Sequence, residues 1–222
     1  MLFEDLKSLE TNDEISKNDI LKILKKWAEN VSVFDIMNST SKFRESCKYV
    51  QEEYKGHFDD IYVKNFYMRI KDIKKDNKDY KDNINKKTFL KAIDYFKKQD
   101  DQRKVENKIK SKIKNKVENK VENKLENNEE IKLENEVEKN EKDKIKTKLE
   151  SKENGTKVQR LIYYLICIYT TFILDEPIHH VGSIFPGHTK VRYENGTYYC
   201  PVKNNNVGNL KAVCRFCIAK QG

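Results

Sequence analysis

Leu161-Ile-Tyr-Tyr-Leu-Ile-Cys-Ile-Tyr-Thr-Thr-Phe-Ile-Leu174 is apolar on every face, relieved only by Thr170 and Thr171. As a helix rising about 1.5 Å per residue it spans roughly 21 Å, short of the ~30 Å hydrocarbon core of a bilayer. No membrane span is expected. A helix without a polar face must be wrapped by other elements, so the stretch reads as the buried centre of a helical bundle. Thr156-Lys-Val-Gln159 before it has the form of a capping box. Asp175-Glu-Pro177 ends it, because proline disfavours helical geometry at the residue before it.

The partners of that helix come from residues 1–101. Ser16-x-x-Asp19 also resembles a capping box, and Ile20, Leu21, Ile23, Leu24, Trp27, Ala28 and Val31 follow at helical spacing. Further stripes are Phe43, Cys47, Val50 and Tyr54, then Val63, Phe66, Tyr67, Ile70 and Ile73, then Phe89, Ala92, Ile93 and Phe96 from a start near Asn85 or Thr88. Cys47 and Cys167 lie on apolar stripes and read as small core residues.

Between these parts, residues 102–153 hold 16 Lys+Arg and 13 Asp+Glu, with no aromatic, Gly, Pro, Cys or His. The unit Lys-Val-Glu-Asn and its variants recur from Lys104 to Asn127, placing Val105, Ile109, Ile113, Val117, Val121 and Leu125 every fourth residue. On a helix that step drifts by roughly 40° per repeat, so the stripe winds around the rod and makes no heptad seam. The segment reads as a low-complexity charged insert, disordered or an exposed helix. The three divisions are therefore 1–101, 102–153 and 154–222, with the first and last packed as one domain. Mean hydropathy of −0.89 agrees with a solvated segment. With 7 Gly, 3 Pro and 5 Cys in 222 residues, collagen-like and disulfide-scaffold classes are excluded. The N-terminus joins no basic start to an apolar run and small-residue cleavage site, so a cytoplasmic protein is expected.

Chemistry concentrates at the C-terminal end. His179, His180, His188, Cys200, Cys214 and Cys217 fall within 39 residues. Cys214-Arg-Phe-Cys217 offers the closely spaced thiols that suit a tetrahedral metal. Cys200 ends a hairpin, Val191–Cys200, whose turn is Asn195-Gly196. A helix is expected near 209–220. Cys200, Cys214 and Cys217 with His179 or His180 would make a Cys3His site for zinc, with an iron–sulfur cluster as the alternative cofactor. A spare histidine near neutral pKa, or Asp175 and Glu176, could supply acid–base chemistry at an open site, or the carboxylates could simply end the helix. His188, in a Pro-Gly-His turn, is as readily solvated. A thioredoxin-like pair is excluded by the few residues that follow Cys217.

The last 69 residues net +5 and interleave Lys190, Arg192, Tyr193, Tyr198, Tyr199, Lys203, Lys211, Arg215 and Phe216. Such a surface suits a nucleic acid. Cross-strand packing accounts for the aromatics equally simply and is the preferred reading.

Asp175-Glu-Pro-Ile-His-His-Val-Gly182, Tyr198-Tyr-Cys-Pro-Val-Lys203 and Cys214-Arg-Phe-Cys-Ile-Ala219 resemble an uncharacterised protein family of methanogenic archaea. The resemblance is specific over 175–219 and looser over the N-terminal helices. It implies an archaeal cytoplasmic protein and no particular activity, and it makes His179, His180, Cys200, Cys214 and Cys217 parts of the family's motif. The expectation is thus a mainly α protein: a helical bundle around a buried apolar helix, with a small β-hairpin and Cys knuckle module. Metal binding is the leading function, with an enzyme or a nucleic-acid-binding module as alternatives.

Overall fold

Ser16 caps a helix as its spacing predicts: its Oγ accepts the Asp19 N–H at 3.1 Å and donates to the Asp19 carboxylate at 2.7 Å. This is the second helix of a computed structural model that describes residues 1–46, 64–125, 157–209 and 212–222. The helices are α1 (Leu2–Lys7), α2 (Lys17–Glu29), α3 (Val33–Ser46), α4 (Lys64–Lys75) and α5 (Lys86–Leu125), with a 3-10 turn at Ser8–Thr11. Next comes α6, over 157–168, which widens into a π-helical turn at Tyr169–Ile173. The strands β1 (Ile184–Phe185), β2 (Thr189–Lys190), β3 (Arg192–Glu194) and β4 (Thr197–Cys200) follow. A short helix α7 (Lys203–Val207) and β5 (Lys220–Gln221) complete the chain. The protein is mainly helical with a small C-terminal β region.

The apolar stripes find their partners. Ile20, Leu21, Leu24 and Ala28 of α2, Tyr67, Ile70 and Ile73 of α4, and Phe89, Ala92, Ile93 and Phe96 of α5 are all buried. They surround α6, where Ile162 and every residue from Tyr164 to Ile173 are buried. Phe3 and Phe96 meet the Tyr164 ring at 5.0 and 5.7 Å, and Phe89 meets Phe172 edge-on at 5.2 Å. One core cluster therefore runs from Leu2 to Val213 and draws on both sides of the insert. Each ring buried at this centre removes apolar surface worth about 2–3 kcal/mol from water.

Asn85 caps α5, its Oδ1 accepting the Thr88 N–H at 2.9 Å. The helix then runs unbroken across residue 102 to Leu125. Its first turns beyond Phe96 stay tied to the bundle: Asp100 pairs with Arg160 at 2.8 Å, and the Arg103 guanidinium lies 5.6 Å from the Tyr163 ring centre. Val105 and Ile109 are exposed, as a winding stripe requires. The residues expected at Cys47, Val50, Tyr54, Val63 and Thr156 lie outside the described residues.

The hairpin forms at the expected turn. Glu194 pairs with Thr197 across Asn195 and Gly196, whose φ values of 50° and 75° give the left-handed turn that suits the twist of the strands. The helix expected near 209–220 is absent among its described residues. There the chain turns at Cys214–Phe216 and pairs Lys220 and Gln221 in parallel with Tyr199 and Cys200. Tertiary hydrogen bonds account for this: Lys203 Nζ donates to the Cys217 carbonyl at 2.6 Å and to that of Ala219, removing those acceptors from any local helix.

Candidate functional site

The π turn sets the geometry of the segment that carries the histidines. Leu174 N–H reaches back to the Tyr169 carbonyl at 3.1 Å and Glu176 N–H to that of Thr170 at 3.0 Å. Asp175 then takes a left-handed φ of 53°, turning the chain away from the helix axis. Two cations hold the turn: Lys17 of α2 binds the Asp175 carboxylate, and Arg69 of α4 binds that of Glu176. Beneath it, the Asp76 carboxylate accepts Tyr169 Oη at 2.7 Å and Tyr80 Oη at 2.8 Å. Asp175 and Glu176 thus close the end of α6 against α2 and α4, which is the helix-ending role the sequence allowed them.

The histidines part company after this turn. His179 is packed edge-on against Phe185, with ring centres 5.2 Å apart, and burial pushes its pKa down to about 4. Its ring is therefore neutral at physiological pH. His180 is exposed, and its Nδ1 lies 2.7 Å from the Val181 carbonyl oxygen. His188 sits in an exposed turn with φ 55°, directly after Gly187 at φ 82°.

The strands form a module with its own small core of Val191, Cys200 and Ala219, against which Phe185, Tyr198, Val202 and Cys217 pack. Cys200 ends β4, and its Sγ accepts backbone N–H groups of Val202 and Lys203. Burial first, and then Cys217, push its pKa up against those N–H groups and the nearby Lys203 ammonium. Cys214 is pushed up by burial and then by Cys217 and Cys200. The turn that carries Cys214 and Cys217 is anchored by Phe216, which stacks on Tyr95 and Phe96 of α5 at 5.3 and 5.9 Å.

The structure packs Cys217 against the small core that holds Cys200, and Cys214 lies in the same turn as Cys217, whose N–H reaches the Cys214 carbonyl at 3.3 Å. His179 adjoins the same small core through Phe185, whereas His180 turns to its own chain neighbour. As the side chains stand, no group of three or more His, Cys, Asp or Glu among the described residues is disposed to hold a metal ion. Four described cysteines are free thiols, so no disulfide joins them.

Cys167, in the middle of α6, is fully buried, the core role its apolar run predicts. One feature escaped the sequence reading: the Asp76–Tyr169 contact, which joins residues 93 positions apart.

The cation and aromatic set is largely engaged in packing. Arg215 stacks over Tyr95 at 4.9 Å, Arg192 faces Glu194 at 3.5 Å, Tyr193 stacks on Tyr198 at 4.5 Å, and Lys203 is spent on carbonyls. No described helix is long and apolar enough to cross a membrane.

Comparison with known proteins places these features in a lineage without assigning them an activity. A UPF0305 protein of Methanothermobacter thermautotrophicus is 27% identical over 207 residues, covering 93% of this chain and 97% of that protein. A UPF0305 protein of Methanococcus maripaludis is 26% identical over 197 residues, 89% of this chain and 91% of that protein. One from Methanocaldococcus jannaschii is 24% identical over 203 residues, 91% and 94% of the two chains. No solved structure matches the chain. Residues 16–119 and 108–222 match the family described as "Uncharacterized protein conserved in archaea (DUF2115)", and the chain belongs to that family.

Proposed function

We propose that the protein binds a metal ion, zinc in the first instance, through Cys200, Cys214 and Cys217. The observation that carries the reading is that Cys217 packs against the small core that holds Cys200, with Cys214 in the same turn as Cys217. The N–H donors at the Cys200 sulfur favour the thiolate, the form that binds a metal.

The size of the module supports the same reading. Strands of two to four residues around a core of Val191, Cys200 and Ala219 bury little apolar surface of their own. Modules this small ordinarily need a staple, and a structural zinc is one of the few available without disulfides. Buried thiols whose pKa is raised stay protonated alone, and a dication would draw their protons off to solvent as each sulfur–metal bond forms. The thiols do not share a centre as they stand among the described residues, so ligation requires them to move together. The sequence nominates His179 or His180 for the fourth position.

The test is the metal content of anaerobically purified protein, by elemental mass spectrometry with an absorption spectrum. About one zinc per chain, lost in Cys214→Ser, is the expected result. Iron with thiolate charge-transfer absorption would replace the zinc reading with an iron–sulfur or redox-enzyme reading. Protein free of stoichiometric metal would overturn the proposal.

A further inference from the structure

We infer that Cys214 and Cys217 form an oxidation site, a dithiol that a hydroperoxide converts to an intramolecular disulfide. The chemistry of the pair needs no metal. Its consequence, release of a metal on oxidation, rests on the reading that Cys200, Cys214 and Cys217 are the ligands.

The nearness of the two residues is a matter of backbone geometry. Phe216 N–H reaches the Val213 carbonyl at 3.0 Å and Cys217 N–H reaches the Cys214 carbonyl at 3.3 Å, so two successive i to i+3 bonds close a tight turn. A turn of this kind brings its first and fourth Cα atoms within about 7 Å, and bonds of the 3-10 type set side chains i and i+3 on one side. A disulfide spans Cα atoms about 4.4–6.8 Å apart. Both residues are free thiols, so the turn holds a reduced pair that can close without unwinding.

The turn is held from three sides. Tyr95 Oη donates to the Ala212 carbonyl at 2.8 Å just before it. Phe216, between the cysteines, lies on Tyr95 and Phe96 at 5.3 and 5.9 Å. Lys203 Nζ donates to the Cys217 carbonyl at 2.6 Å at its end. Fixing two reacting groups in this way makes their joining an effectively unimolecular step.

Exposure divides the roles. Cys214 is 8% exposed, whereas Cys217 is half-buried and has the Lys203 ammonium at its own carbonyl. Partly open, electropositive surroundings are where reactive cysteines are found. Cys217 therefore meets the peroxide. Its thiolate attacks one peroxide oxygen, the O–O bond breaks, and the other oxygen takes a proton and leaves as water or an alcohol, giving the Cys217 sulfenic acid. The Cys214 sulfur then attacks the Cys217 sulfur, the S–O bond breaks, and water leaves with the Cys214 proton. Two electrons pass from the sulfur pair to the peroxide. The pair reacts once per chain and is reset by an external thiol, with no thioredoxin-like fold around it. Oxidation withdraws two of the three thiols proposed for the metal and leaves Cys200 as the third. The competitor for Cys217 is Cys200, against whose small core it also packs.

The experiment treats the anaerobically purified full chain with one equivalent of hydrogen peroxide, blocks the remaining thiols in denaturant with N-ethylmaleimide, and digests the protein with trypsin. Trypsin cleaves after Arg215, so peptides 212–215 and 216–220 stay joined only where the disulfide has formed. The expected result is that linked pair, with a loss of two of the five alkylatable thiols and their recovery in dithiothreitol. Cys214→Ser should stop at a Cys217 sulfenic acid that a cyclic diketone traps, and Cys217→Ser should keep all its remaining thiols. The wild-type peptide map does not depend on how either variant folds. A Cys200–Cys217 linkage, a wild-type Cys217 that goes on to sulfinic acid, or five intact thiols after an equal concentration of free cysteine has been oxidised would each overturn the inference. Metal content of the same samples separates it from the reading on which its consequence rests. The disulfide in protein that never held a metal sinks the metal reading and leaves the oxidation site standing. Zinc protein that keeps its zinc and its thiols under peroxide does the reverse.

Discussion

Tyr169 donates its hydroxyl to the Asp76 carboxylate at 2.7 Å, joining the π turn of the central helix to the loop that follows α4. Burial works to raise the Asp76 pKa, but the Tyr169 hydroxyl, the Lys78 N–H and the Tyr80 hydroxyl outweigh it and hold the carboxyl below its ordinary value. Tyr80 is pushed up to about 12, by its own burial first and then by its hydrogen bond to the Asp76 carboxylate. This is a charge-assisted network at the place where the helix must widen and stop, and π turns of this kind are common at sites a fold has to shape with care.

Tyr169→Phe is expected to destabilise the protein by about 2 kcal/mol, the usual worth of a hydrogen bond to a buried charge. Because the folded Asp76 pKa is depressed, its contribution is present above the unfolded value of about 3.9 and is lost as pH falls through the lower folded value. Urea midpoints of wild type and variant should differ at pH 7 and converge in acid. Equal midpoints at pH 7 would show that the contact contributes nothing.

His179 predicts a separate acid limb. Its folded pKa of about 4 lies below the unfolded value of about 6.5, so between these two values the unfolded chain binds the extra proton. Stability is then complete above about pH 6.5 and falls as pH drops toward 4, by about 2 kcal/mol once residual exposure of the ring is allowed for. His179→Leu should flatten the loss between pH 6.5 and 4 and leave the Asp76 limb below it. A slope unchanged in the variant would mean that the ring is not shielded as its packing on Phe185 implies.

These contacts mark the limit of what the sequence discloses. The Ser16 cap, the Phe89–Phe96 stripe, the Asn195-Gly196 turn and the buried 161–174 helix were all legible, because each depends on residues a few positions apart. The helix expected over 209–220 failed because Lys203 and the β4 strand compete for that backbone, and neither is visible in local propensity. The candidate site was legible in part. Cysteine spacing pointed to Cys200, Cys214 and Cys217, whereas the seating of their turn on α5 through Phe216 is a fact of packing alone.

The run of α5 into the charged repeat gives the last test. Asp100 accepts from Arg160 at 2.8 Å, with the two side chains only 14% and 10% exposed, and also pairs with Lys104 at 2.7 Å. Taking away the carboxylate leaves the Arg160 guanidinium of α6 largely buried without that partner. Asp100→Ala should therefore cost about 3 kcal/mol, more than any exposed ion pair on the repeat would. For a chain of this size that lowers the melting temperature by about 6–12 °C. Asp100→Leu combined with Arg160→Met should recover most of the loss, since an apolar pair of similar volume needs no solvation. Thermal melts of the three variants decide the matter. A double variant no better than Asp100→Ala would mean that the ion pair is required for more than charge compensation, and a single variant within about 0.5 kcal/mol of wild type would mean that the repeat-bearing helix is not anchored there at all.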